Sequence, residues 1–209
     1  MTSALPGGAA PPHPMRHLET SAEQEDDDAL IEKLRTRAWD PGMRFDSEQM
    51  AELYADAPHG PLFPPVTLAE LEHAESRIGR QLPGVLRRVY TEVANGGFGP
   101  DSGLASLTDG NRTPGHPIDW PSAVRDHERG HVQGMPTSWL YLTSGGCSME
   151  WYVSLLAIDN PVLLYDSGGW DPTWGQRPHD GLRHATTSLR QWLWTWANGG
   201  NVWDEVLSR

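Results

Sequence analysis

The chain has 209 residues, of which 37% are hydrophobic and 21% charged, and carries a net charge of -12. That length suits one domain of ordinary size plus a tail and is short for two. An acidic surface repels phosphates, which excludes nucleic acid as a direct ligand class, and a single cysteine, Cys147, excludes an intrachain disulfide framework. No basic leader precedes an apolar stretch, and no segment nears the roughly 20 apolar residues of a membrane helix, so a cytoplasmic setting without membrane insertion is expected.

Residues 1–28 mix Pro, Gly, Ala and Ser with the acidic run E-T-S-A-E-Q-E-D-D-D at 19–28. Six acids against Arg16 alone leave -5 in this tail and -7 in the remainder. Such a composition buries too little apolar surface to offset ordering entropy, so disorder is expected through residue 28. Leu30, Ile31, Leu34 and Ala38 then recur near helical spacing between Asp28 and Trp39, and Asp40-Pro41-Gly42 supplies a stop. Residues 29–63 read as this helix with a Pro-rich connector, and 64–209 as the main domain.

Thr67 opens T-L-A-E, the pattern in which a Thr oxygen meets the third helical amide while Glu70 reaches back to the cap. A helix to about Gly79 follows, with Leu68, Leu71, Ala74 and Ile78 inward and Glu70, Glu72, Arg77 and Arg80 outward. Pro83 starts a second helix whose buried side carries Val85, Leu86, Val89, Tyr90 and Val93. Asn95-Gly96-Gly97 ends it, since those residues accept left-handed backbone. The period then shortens. Trp139–Thr143, Trp151–Ile158 and Val162–Tyr165 are short and rich in aromatic or β-branched residues, hence strands, with Ile158-Asp159-Asn160-Pro161 as a tight antiparallel connection. Ser188 opens a second capping pattern, S-L-R-Q, for a closing helix on Leu189, Trp192, Leu193 and Trp196 that ends at Asn198-Gly199-Gly200. Alternate residues lie about 200° apart on a helix, which leaves Trp194 facing outward. The class is α+β: an antiparallel-rich sheet between an N-terminal helix pair and a C-terminal helix.

The string V-T-L-A-E-L-E-H-A-E-S-R-I-G-R-Q-L-P-G-V-L-R-R-V-Y-T-E-V-A-N-G-G-F, from Val66 to Phe98, resembles the opening of SUKH-superfamily proteins of the Smi/Knr type. These share a helix ending in E-x-x-L/I-G, then L-P, a second helix and an N-G-G turn. The turn G-G-C-S-M-E-W at Gly145–Trp151, the strand pair after it and S-L-R-Q-W-L extend the similarity over about residues 64–207. The resemblance implies an α+β domain whose bacterial members are typically immunity proteins, which bind and block a polymorphic or contact-dependent toxin. Its alternative is a regulatory or scaffolding role of the cell-wall-synthesis-regulator type. Neither role needs a catalytic residue, a metal or a cofactor.

A competing enzyme reading rests on H-E-R-G-H, where His127, Glu128 and His131 match zinc-hydrolase spacing and Glu150 would serve as a third ligand. That chemistry needs both His on one face of a helix. Gly130 weakens a helix by about 1 kcal/mol, and Pro121 and Pro136 bracket the segment, so a solvated loop or helix end is expected and zinc is the weaker alternative. Cys147 has no basic neighbour in sequence to stabilise a thiolate, which predicts a small buried side chain. Glu92 lies one helical turn beyond Arg87 and Arg88, and Glu75 lies in the partner helix, which predicts surface helix pairing rather than phosphate binding.

The partner-binding candidates are Glu150, Asp166, Trp170, Asp171, Trp174 and Asp180. Residues 139–180 hold five acids and one arginine, whereas residues 64–100 balance four against four. Trp170 and Trp174 sit among Gly, Pro and Asp in D-S-G-G-W-D-P-T-W-G, a composition suited to a projecting loop with an aromatic centre and an acidic rim. In the bland reading both tryptophans fold back as a lid on the sheet edge. The expected partner is a protein, a basic toxin domain.

Overall fold

The computed structural model describes residues 21–40, 42–44, 52, 62–108 and 121–207. Helix α1, Ser21–Trp39, buries Leu30, Ile31, Leu34 and Ala38 against the closing helix and the second helix of the pair. It begins well before residue 29, so residues 21–28 are helical and the expected boundary is corrected; residues 1–20 lie outside the described residues. The physical reason is long-range pairing. Asp27 accepts a hydrogen bond from Arg190 Nε at 2.7 Å, and Asp28 from Arg88 Nη1 at 2.6 Å, contacts that local composition does not disclose.

Helix α2, Leu68–Ile78, carries the full reciprocal cap. Thr67 accepts from the Glu70 amide, Glu70 accepts from the Thr67 amide, and Gly79 closes the helix in the left-handed region. Leu68, expected inward, is 66% exposed because it sits in the first turn beyond the reach of the core, while Leu71, Ala74, Glu75 and Ile78 are buried. Helix α3, Gly84–Arg88, runs into a π-helical turn, Val89–Val93, and buries the five apolar residues expected of it. Arg88 pairs with Glu92 at 2.7 Å one turn on, as expected at the surface, whereas Arg87 pairs at 2.7 Å with Glu75 of α2, whose carboxylate is buried. The turn after it requires glycine: at Gly96, φ is 81°, and a Cβ would lie 2.5 Å from the Leu104 carbonyl.

Helix α4, Ala123–Val132, precedes a four-stranded antiparallel meander of β1 Trp139–Gly146, β2 Met149–Ser154, β3 Val162–Asp166 and β4 Leu182–Ala185. The protein is thus α+β. The strand bounds differ from expectation, and the fourth strand was not expected. β2 stops at Ser154 because Asn160, at φ 47°, folds the connection and its side chain caps the Ser154 carbonyl, leaving Leu156 and Ile158 exposed. β4, L-R-H-A, lacks β-branched and aromatic residues and is held by its pairing with β3.

Helix α5, Leu189–Ala197, is capped by Ser188 and buries Leu189, Trp192, Leu193 and Trp196, and the short α6, Asp204–Leu207, follows. Trp194 is the most exposed of the three α5 tryptophans, with Lys33 Nζ 5.7 Å from its ring centroid. The Gln191 side chain reaches Thr195 in the following turn.

Alternation along the strands gives the sheet two unlike faces. Leu140, Leu142, Trp151, Val153, Val162 and Leu164 point into the core shared with the helices. Tyr141, Tyr152, Leu163 and Tyr165 form a separate cluster on the other face, against which Ala105, Met135, Trp139 and Trp170 pack. Asp101 ties the far end together by accepting from Trp151 Nε1 at 2.6 Å and Trp203 Nε1 at 2.8 Å.

Candidate functional site

The outer face of the sheet is an aromatic floor centred on Tyr152. Its ring centroid lies 5.6 Å from Tyr141, 5.7 Å from Tyr165 and 6.2 Å from Trp139, in tilted or edge-on arrangements that aromatic quadrupoles favour. The Tyr152 hydroxyl donates to Glu150 Oε2 at 3.0 Å. Burial, the negative charge of Asp126 and Glu150, and that hydrogen bond all push the Tyr152 phenol above its ordinary range. Glu150 is itself raised, by desolvation first and by the nearby Asp126 charge. Asp126, on α4, is also raised by desolvation, with Tyr152, His127 and Arg129 drawing it partly back. Two half-buried carboxyl groups therefore face one tyrosine hydroxyl at the rim of the floor.

At the other end of the floor, Asp166 closes β3 and anchors the loop that follows. It accepts from Ser148 Oγ at 2.6 Å, from the Gly168 amide at 3.1 Å and from Arg183 Nη2 at 3.1 Å. Ser148 above all, with Arg183 and Gly168, holds its carboxyl below the usual carboxylate range. Arg183 also reaches the carbonyls of Gly169 and Asp180, so one guanidinium fastens both ends of the loop to β4. Asp166 is a paired, structural acid, and the free acidic field of residues 139–180 is smaller than the sequence count suggests.

Within the loop Asp171 caps a 3-10 turn, Pro172–Trp174, accepting from the Thr173 amide and hydroxyl at 2.7 Å, and these bonds lower its carboxyl pKa. Asp180 accepts from the Arg177 amide at 2.7 Å. The two tryptophans part company. Trp170 folds back onto the Tyr141–Tyr165 cluster, where Gly181 leaves room that a Cβ would fill 3.0 Å from the Trp170 ring. Trp174 projects from the turn and is 79% exposed. The structure thus places Glu150 and Trp170 by the outer face, sets Asp166 at the end of β3 as the anchor of the loop, and carries Asp171, Trp174 and Asp180 on that braced loop.

The H-E-R-G-H segment is helical throughout, not a loop: Ser122 caps α4 and the helix continues to Val132 past Gly130. Its side chains are engaged elsewhere. Glu128 takes a two-pronged bond from Arg77 at 2.9 and 2.8 Å, and His127 is buried with Nδ1 3.1 Å from the Trp139 carbonyl. His131 is exposed, and among the described residues no three His, Cys, Asp or Glu cluster as a metal would need. Cys147 is exposed rather than buried, at φ 53° in the tight β1–β2 turn, because a two-residue hairpin loop turns its side chain to solvent.

Sequence reasoning passed over Asp126, Tyr141, Tyr152 and Tyr165. The signal for the tyrosines was present in their alternation with core residues along three strands, whereas Asp126 joins them only through the packing of α4 against β1. Comparison of the sequence with protein-family models and with curated proteins finds no match to either. No helix among the described residues is long and apolar enough to cross a membrane.

Proposed function

We propose that this chain is a non-catalytic protein-binding domain, an immunity protein of the Smi/Knr type that binds and neutralises a cognate basic toxin domain. The observation that carries this reading is Trp174: a large aromatic, 79% exposed, presented on a loop fastened by Arg183 and by the Asp171 cap. A braced loop loses little conformational entropy on binding, and an exposed tryptophan with a polar surround is the usual anchor of an interface. The acids around it favour a cationic partner by long-range attraction. The α+β order, a capped helix pair followed by an antiparallel meander, agrees with the resemblance of Val66–Phe98 to this superfamily.

The test is co-production with a basic toxin domain encoded beside this chain. Growth rescue together with a complex that survives size-exclusion chromatography is expected. A complex without rescue would favour the regulatory alternative, and the absence of both rescue and complex would overturn the reading.

A further inference from the structure

Between α5 and the short α6 lies a cavity of about 230 Å³. Gln191, Trp192 and Thr195 line it from α5, and Asp204 and Glu205 line it from α6. The turn joining the two helices is drawn in tightly at Gly200, where a Cβ would lie 2.9 Å from the Thr195 methyl, so the open space beside it is not a matter of loose packing throughout. Two buried nitrogens around the cavity lack partners. Trp192 is 3% exposed, and among the described residues its Nε1 finds no hydrogen-bond acceptor. His184 pairs across the strands with the core residue Leu164, so it stands on the helix side of the sheet, and its Nε2 is likewise unpartnered. That nitrogen is 3.7 Å from Glu205 Oε1, longer than a hydrogen bond.

An indole N–H can only donate, and leaving it unbonded out of water is costly. Ionised Asp204 and Glu205 can only accept. A group that completes the site must therefore offer an acceptor to the indole and a donor to the carboxylates at once. A carboxylate ligand is repelled by the two acids, and an ammonium has no acceptor for the indole. A primary amide carries both functions in one plane, and it is small enough for a space that a few water molecules would fill. We propose that this cavity binds a small primary amide, its carbonyl accepting from Trp192 Nε1 and its NH2 group donating to Glu205. The site shares no residue with the Trp174 loop and goes beyond the protein-binding reading.

The experiment titrates propionamide into the full chain, with propionate and propylammonium as charged counterparts that lack the donor or the acceptor. It follows the Trp192 indole N–H by NMR, recognised through its contacts with the Trp151 ring, whose centroid is 5.8 Å away. A saturable shift is expected with propionamide and with neither ion. Glu205→Ala should weaken that binding by about tenfold or more. The wild-type comparison of the three probes needs no substitution, so it decides the matter where the variant loosens α6. Nα-acetyl-glutamine methylamide separates the sources of the amide: its binding alongside propionamide assigns the cavity to a partner's glutamine as well, and propionamide alone assigns it to a free small molecule, each in support. No saturable shift, or equal shifts with all three probes, would overturn the proposal and leave the cavity to water. Because no toxin is present, failure here leaves the immunity reading standing, and failure of growth rescue leaves the amide result standing.

Discussion

Arg190 donates from Nε to Asp27 at 2.7 Å, and Asp27 is only 2% exposed, so an acid near the start of α1 is fixed against α5 at the far end of the chain. Removing it leaves a buried gap in a charged contact. Asp27→Ala should lower the unfolding free energy by about 1–3 kcal/mol, a value set below that of a fully buried pair because Arg190 is partly exposed. Deleting residues 1–28 should lower it further, since the Asp28–Arg88 bond goes as well. Urea denaturation of the variants against the full chain measures both, and coincident curves would show that α1 docks without these acids.

The carboxyls of Asp126 and Glu150 make an opposite prediction. Their folded pKa values are raised, so their favourable contribution is complete below the unfolded pKa and is lost as pH rises through the folded pKa. At neutral pH the desolvation cost is therefore fully present. Glu150→Gln, which keeps an acceptor for the Tyr152 hydroxyl, should raise Tm at neutral pH, and the gain should shrink toward about pH 4 as the wild-type group takes up its proton. A pH-independent gain would assign the effect to packing instead.

Much of the helical framework was legible because its signals are local. The Thr67–Glu70 cap, the left-handed Gly79 and the N-G-G turn each involve residues within a few positions of one another. The reading failed where tertiary contacts decide. Residues 21–28 look disordered until Arg190 and Arg88 are present, and L-R-H-A is a strand only because β3 lies beside it. The loop tryptophans were legible as a pair of aromatics in a turn. Their division was not, since it depends on Gly181 making room for Trp170 against Tyr165.

For the H-E-R-G-H helix, added zinc should leave Tm unchanged. Glu128→Ala should cost less than about 1 kcal/mol, the range of an exposed Arg–carboxylate pair. Metal analysis of protein purified without added zinc provides the direct check. Stoichiometric zinc that disappears on His131→Ala would reinstate the hydrolase reading.

The most direct test of the central claim is the dissociation rate of the complex with the basic toxin domain, measured for wild type, Trp174→Ala and Trp170→Ala. Trp174→Ala should keep the wild-type Tm and speed dissociation by roughly thirtyfold, the equivalent of about 2 kcal/mol for a central aromatic anchor. Trp170→Ala, which uncovers the Tyr141–Tyr165 cluster, should lower Tm. An unchanged dissociation rate for folded Trp174→Ala would contradict the account and place the partner surface elsewhere on the domain.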